Sequence, residues 1–231
     1  MSRILLLEDD LSLINGLSFA FKKQGYEMDI ARTLKEANEL WREGKYDLLV
    51  LDVSLPDGTG FEFCEKVRKN SKVPILFLTA SDEEMNIIMG LDMGADDYIT
   101  KPFNPVEFIA RVNALIRRYT KLGAMPKENT PNTYITGELL VDDNLKQVMV
   151  AGEEIKLTPT EYNILKFLIQ NKGKVFSIQQ IYERVWDEES YGAENIIPVH
   201  IRHIREKIEV IPKEPKYLKV IWGIGYKIEN I

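Results

Sequence analysis

Four places in this chain carry side chains that could together handle a phosphoryl group. Glu8-Asp9-Asp10 follows the apolar run Ile4-Leu5-Leu6-Leu7, and Asp52 follows Leu48-Leu49-Val50-Leu51. Thr79 follows Ile75-Leu76-Phe77-Leu78, and Lys101 follows the segment from Asp96 to Thr100. Carboxylates brought close together repel one another, so a cation is expected among them. Oxygen ligands favour a hard divalent ion such as Mg2+. With charge neutralised, one carboxylate can attack phosphorus, while a hydroxyl and an ammonium hold the transferred oxygens.

The elements that must bring these residues together are legible as an alternation. Each short apolar run reads as a strand, and amphipathic stretches at Leu11 to Gln24, Leu34 to Glu43 and Pro105 to Tyr119 read as helices. Gly25 and Gly44 stop the first two, and Glu27 to Ile30 adds a second strand. Continuous apolar runs indicate strands covered on both faces. Strands alternating with helices imply a doubly wound α/β fold with a five-stranded parallel sheet in flavodoxin-like order. Ligands of such sheets sit beyond the carboxyl ends of the strands, where all four candidate sites fall.

Residues 120–133 hold two prolines, a glycine and small polar groups, a linker composition. Beyond it the rhythm changes. Leu139 to Asp142 and Gln147 to Val150 form a predicted hairpin around Asp143-Asn144. Thr158-Pro159-Thr160-Glu161 and Ser177-Ile178-Gln179-Gln180 are capping boxes that start two helices. Asn195 is expected to cap a third helix reaching about Glu209, with Pro198 in its first turn. Lys219 to Ile228 reads as two strands around a Gly-rich tip, so this α+β segment is a predicted winged helix. The expected division is 1–119, a linker at 120–133, and 134–231.

Composition narrows the function classes. The single cysteine, Cys64, excludes an internal disulfide framework and suits a reducing cytoplasm. No apolar run approaches the roughly 20 residues of a membrane span. The net charge of −6 argues against indiscriminate nucleic-acid binding. From Asn132 on, 13 Lys/Arg stand against 15 Asp/Glu, so any DNA binding must come from local charge. The third helix supplies it. Arg202, Arg205 and Lys207 lie within six positions, with His200 and His203 interleaved. Helical spacing groups Val199, Arg202 and His203 on one face and Ile201, Ile204 and Ile208 on another. The former face is expected to meet a groove of double-stranded DNA, with Lys219 and Lys227 reaching phosphates from the wing.

The motifs also carry a family resemblance. Glu8-Asp9-Asp10, Leu51-Asp52, Leu55-Pro56-Asp57-Gly58, Leu78-Thr79-Ala80, Gly94-Ala95-Asp96-Asp97-Tyr98 and Lys101-Pro102-Phe103 make residues 1–119 resemble a response-regulator receiver. The resemblance implies that Asp52 is the phosphoacceptor, and that Asp9, Asp52 and the Ser54 main-chain carbonyl hold Mg2+ with Glu8 nearby. It implies that Thr79 and Lys101 contact the phosphoryl group, that Tyr98 turns inward as the switch aromatic, and that Lys101–Pro102 is cis. Leu157-Thr158-Pro159-Thr160-Glu161-Tyr162, Val199 to Lys207 and Gly223-Ile224-Gly225-Tyr226 are similar to the OmpR/PhoB-type effector domain.

That family implies a transcription factor, not an enzyme. It is phosphorylated by a sensor histidine kinase, dimerises, and binds promoter DNA, with RNA polymerase as a further contact and no membrane partner. The family's dimer face implies roles for Ile87, Asp97, Glu107 and Arg111. Ile87 stands where a basic residue is usual, which leaves Glu107 without its partner, while Asp97 and Arg111 can pair across the interface. Trp222 replaces a usual wing arginine and is expected to pack against the domain; His203 also replaces an arginine. The wing from Trp222 to Glu229 is similar to that of glycopeptide-resistance regulators. Two other readings stay open: a DNA binder whose receiver only dimerises, and an Mg-dependent phosphohydrolase of the haloacid-dehalogenase type. The latter needs an acid where Ser54 stands.

Overall fold

The computed structural model describes residues 2–80, 89–123, 132–186 and 193–231. The chain divides into two compact units, Met1–Thr120 and Lys121–Ile231.

In the first unit, β1 (Arg3–Leu7), β2 (Glu27–Ala31), β3 (Leu48–Asp52), β6 (Ile75–Ala80) and β7 (Asp97–Lys101) form a parallel sheet in the order β2-β1-β3-β6-β7. Side chains alternate across a strand. Ile4, Leu6, Leu48, Val50, Leu76 and Leu78 therefore pack on one face with Ile14, Leu17 and Phe21 of α1 (Leu11–Lys23) and Phe108, Val112 and Leu115 of α5 (Pro105–Gly123). On the other face, Phe77 packs edge-on against Phe61 of α3 (Gly60–Arg68), with ring centroids 5.0 Å apart. Both faces of the central strands β1, β3 and β6 are covered, which is why these three read as unbroken apolar runs. Among the described residues the other helical segments are α2 (Leu34–Leu40) and a short α4 at 89–92.

The strand-to-helix turns are closed by carboxylates. Asp10 accepts from the Ser12 and Leu13 amides at the start of α1, at 2.7 and 3.3 Å. Asp57 reaches from the loop after β3 to the first amides of α2, Leu34 and Lys35, at 2.8 and 3.1 Å. That loop is a tight hairpin of β4 (Ser54–Leu55) and β5 (Gly58–Thr59), which the sequence reading did not anticipate.

The second unit opens with an antiparallel sheet of β8 (Thr133–Thr136), β9 (Leu139–Asp142), β10 (Gln147–Val150) and β11 (Glu153–Ile155), in the order β11-β10-β9-β8. Its two outer strands were missed because they are short and only partly buried. Three helices follow, α6 (Pro159–Gln170), α7 (Ile178–Trp186) and α8 (Ala193–Ile208), then the wing of β12 (Leu218–Ile221) and β13 (Gly225–Ile228). The Thr158–Glu161 capping box is formed as expected.

Two boundaries need correction. α5 continues to Gly123, into the predicted linker at 120–133, of which 124–131 lie outside the described residues and Thr133 begins β8. α8 begins at Ala193, so Asn195 is inside its first turn rather than capping it. Pro198 consequently sits in the helix interior, where it removes one helical hydrogen bond.

Candidate functional site

Lys101 is the last residue of β7 and donates to two acids at once, Glu8 Oε2 at 2.7 Å and Asp52 Oδ2 at 2.9 Å. The sheet register makes this possible, because β1, β3 and β7 all end on the same edge. Glu8 is fully buried and Asp52 nearly so, whereas Asp9 is exposed. Oxygens of Glu8, Asp9 and Asp52 lie within 4.8 Å of one another. Burial pushes the Glu8 carboxyl above its ordinary value despite the Lys101 hydrogen bond, and the nearby Asp52 charge pushes the same way. Burial alone would lower the Lys101 ammonium, but its bonds to Glu8 and Asp52 outweigh it and hold the pKa above the ordinary lysine value. Thr79 is buried beside this edge, its hydroxyl donating to the Ala80 carbonyl at 3.1 Å. Lys101–Pro102 is cis. Ser54 is exposed at the start of β4, and Tyr98 is half-buried on β7. A set of clustered carboxylates, with no thiol or imidazole among them, suits a hard divalent cation.

Gly60 contributes to the pocket through its lack of a side chain. A Cβ there would collide with the main-chain carbonyl of Asp52. The residue follows Leu55-Pro56-Asp57-Gly58 by only two positions, yet spacing gives no sign that the helix must approach the nucleophile's backbone so closely.

On α8 the polar residues divide sharply. Arg202 remains exposed, its side chain 47% accessible beside Glu206 at 3.9 Å. His200 points inward instead, buried with its ring 6.0 Å from that of Trp186 on α7. Val199 is also buried, as are Ile201, Ile204 and Ile208. The expected outward face is thus corrected: the helix is covered on both sides near its middle, so Val199 and His200 serve packing. His203 is largely buried near Glu161, at 3.9 Å, and burial lowers its pKa. Lys207 Nζ bonds both oxygens of Glu161, at 2.7 and 2.6 Å. Arg205 Nε donates to the Leu218 carbonyl at 2.8 Å, pinning α8 to the base of the wing. Asn195, Lys219 and Lys227 are half-buried. Trp222 does not pack against the domain; it is 88% exposed at the wing tip, because the turn carries it beyond the last strand pair.

Comparison with known proteins identifies the assembly. Residues 4–113 match the family model of the response regulator receiver domain, and residues 152–228 that of the C-terminal domain of transcriptional regulatory proteins. The chain is 40% identical to the regulatory protein VanR of Enterococcus faecium over 229 residues, 99% of each chain. It is 38% identical to the alkaline phosphatase synthesis transcriptional regulatory protein PhoP of Bacillus subtilis, covering 99% of this chain and 97% of PhoP. The chain belongs to the OmpR/PhoB-type response regulators. Among solved structures, this response regulator resembles a mutant of RitR over the full length of both, with TM-score 0.73 and 29% identity. It also resembles DrrB of Thermotoga maritima, an OmpR/PhoB homolog, over 99% of each chain, with TM-score 0.52 and 30% identity. It is therefore a two-component transcription factor with a receiver and a DNA-binding winged helix, not an enzyme. Among the described residues no helix is long and apolar enough to cross a membrane.

At the dimer face expected for the regulator, Asp97, Glu107 and Arg111 meet within one chain. Arg111 Nη1 donates to both Asp97 oxygens, at 2.9 and 3.0 Å, and Arg111 Nη2 to Glu107 at 2.8 Å. Glu107 thus has a partner after all, one helical turn along α5. Ile87 lies outside the described residues.

Proposed function

We propose that Asp52 is the phosphoacceptor of this response regulator, and that a sensor histidine kinase in the cytoplasm is its phosphoryl donor. Phosphorylation then drives homodimerisation and binding to double-stranded promoter DNA, where the dimer meets RNA polymerase. The reading rests chiefly on Lys101 Nζ, which bridges Glu8 and Asp52 at the carboxyl end of the sheet.

An Asp52 carboxylate oxygen bonds to phosphorus as the phosphorus–nitrogen bond to the kinase histidine breaks. Asp9, Asp52 and the Ser54 main-chain carbonyl, with Glu8 nearby, would hold Mg2+. The ion, when bound, neutralises the carboxylates and the phosphoryl oxygens. Lys101 exchanges its bond to Asp52 for one to a phosphoryl oxygen. The Thr79 hydroxyl leaves the Ala80 carbonyl for another oxygen, and Tyr98 moves into the space vacated, biasing a two-state element. Ser54 stands two residues after Asp52 and offers no acid to speed discharge, so the phosphoryl group stays long enough to signal. β7 is an edge strand, and the proposed dimer face runs along it with Asp97, Glu107 and Arg111. Asn195 and Arg202 on α8, with Lys219 and Lys227 on the wing, are the proposed DNA contacts.

Sedimentation of the full chain with acetyl phosphate and Mg2+ tests this reading. The expected result is a shift from monomer to dimer with tighter binding to duplex DNA, both lost in Asp52→Ala. An oligomeric state and DNA affinity indifferent to the donor would overturn it.

A further inference from the structure

The residues read as holding the metal differ in what fixes them. Asp9 and Asp52 would offer side-chain carboxylates, whereas Ser54 enters through its main-chain carbonyl, whose place is set by the loop that carries it. That loop is the β4–β5 hairpin, where Ser54 pairs with Thr59 and Leu55 with Gly58. Its root is joined to the end of β3. The Gly60 amide donates to the Val53 carbonyl at 3.0 Å, and the Ser54 amide lies 3.5 Å from Asp52 Oδ1. One limb is fastened to α3, since the Thr59 amide and hydroxyl donate to Glu62 at 3.3 and 3.2 Å.

The tip is fastened through Asp57. Its carboxylate crosses to α2 and accepts from the first two amides of that helix, Leu34 to Oδ1 at 2.8 Å and Lys35 to Oδ2 at 3.1 Å. Gly58 lies against the same helix start, where a Cβ would stand 2.5 Å from Leu34 Cδ1. Thr33 already caps α2, its hydroxyl oxygen accepting from the Glu36 amide at 3.1 Å. What Asp57 adds is a tie between the helix and the hairpin. Magnesium demands near-ideal octahedral geometry, and the groups that orient its ligands commonly change affinity by about 10- to 100-fold. A hairpin held in place beforehand also loses less freedom when the ion arrives.

We propose that Asp57 is a positioning residue for the metal: it holds the β4–β5 hairpin on α2 and so keeps the Ser54 carbonyl in place for the ion. This rests on the reading in which Asp9, Asp52 and Ser54 hold Mg2+. The coupling is reciprocal. An ion that fixes the hairpin also fixes Asp57 on α2, so the Leu34 and Lys35 amides open less often when Mg2+ is bound.

The test counts free Mn2+ by its electron paramagnetic resonance signal beside the full-length protein, with Mg2+ as competitor. D57A should weaken Mg2+ binding about tenfold. D57N keeps an acceptor oxygen but not the charge, and should recover most of the loss, because asparagine caps amides about as well as aspartate. D57S, too short to reach both amides, repeats the loss should D57A not fold. T33A removes the other cap of α2 and should bind Mg2+ within about twofold of wild type. Hydrogen exchange at Leu34 and Lys35 should slow on adding Mg2+ to wild type and not to D57A. D57A affinity within about twofold of wild type, or exchange indifferent to Mg2+ in wild type, would overturn the proposal. So would D57N as weak as D57A, which makes charge the cause, or T33A as weak, which makes helix order the cause. D9N separates two levels of failure: if it loses the ion while D57A binds normally, only the role of Asp57 is wrong. If neither matters, the metal reading of the pocket falls as well.

Discussion

Glu8 is the pocket acid whose chemistry the fold has altered. Buried among acids, it binds a proton more tightly in the folded chain than in the unfolded one. Its contribution to stability is therefore greatest below its ordinary carboxylate range and is lost as pH rises through the raised folded value. At neutral pH its charge opposes folding, held in place by Lys101. Glu8→Gln should accordingly be more stable than wild type in urea unfolding at pH 7, with the gap closing below about pH 4.5. Saturating Mg2+ should narrow the neutral-pH gap by stabilising the wild type. A variant no more stable at pH 7 would contradict the account of the pocket. The acids and Thr79 were legible because each ends an apolar run, and Lys101 because it ends the fifth strand of the alternation. Asp57 and Gly60 were not, because the Asp57 cap reaches Leu34, 23 residues back, and the close approach of Gly60 is to another strand. His200 was misread for a related reason: helical spacing assigns a face, but only α7 shows that the face is covered by Trp186.

Among the elements, α8 depends on partners outside itself. Glu161 caps α6 through the Thr158 amide at 2.8 Å while receiving Lys207 from α8. Burial would raise the Glu161 carboxyl, but Lys207 overcomes it and holds the value low. That stabilisation is present above the ordinary glutamate range and is lost as pH falls. Glu161→Ala should destabilise the second unit by about 1–2 kcal/mol at pH 7, measured by thermal unfolding, since it removes a helix cap and the contact to Lys207. A loss under about 0.5 kcal/mol would show that the clamp is dispensable. The wing makes a sharper demand. Gly225 lies at φ +154° with the Phe176 carbonyl where a Cβ would go. Gly225→Ala should break the Phe176–Tyr226 bridge and weaken DNA binding while leaving phosphorylation intact; unimpaired binding would contradict that placement. The capping boxes and apolar runs made most elements readable. The short edge strands β8 and β11 and the interior Pro198 were not, because the surrounding sheet and helix override local preference.

At the scale of the molecule, an acidic chain must bind an acidic polymer. The second unit has no basic excess, with 15 Lys/Arg against 16 Asp/Glu from Lys121 on, so affinity depends on a few well-placed cations and, in the proposed dimer, on doubling them. Under the proposed mechanism control sits in the receiver because one phosphoryl group would change how many such cations reach DNA together. The division into two units and their order were legible from the change in rhythm after Tyr119, because parallel and antiparallel folds have different spacing. How readily the receiver dimerises was not, since its ion pairs at Asp97, Glu107 and Arg111 close within one chain.

The central claim is that Asp52 accepts a phosphoryl group, and intact mass spectrometry after incubation with acetyl phosphate and Mg2+ tests it most directly. The wild type should gain one phosphoryl adduct, and Asp52→Ala, assayed alongside it, should gain none. An unmodified wild type under conditions that phosphorylate another receiver, or an adduct that persists in Asp52→Ala, would contradict it.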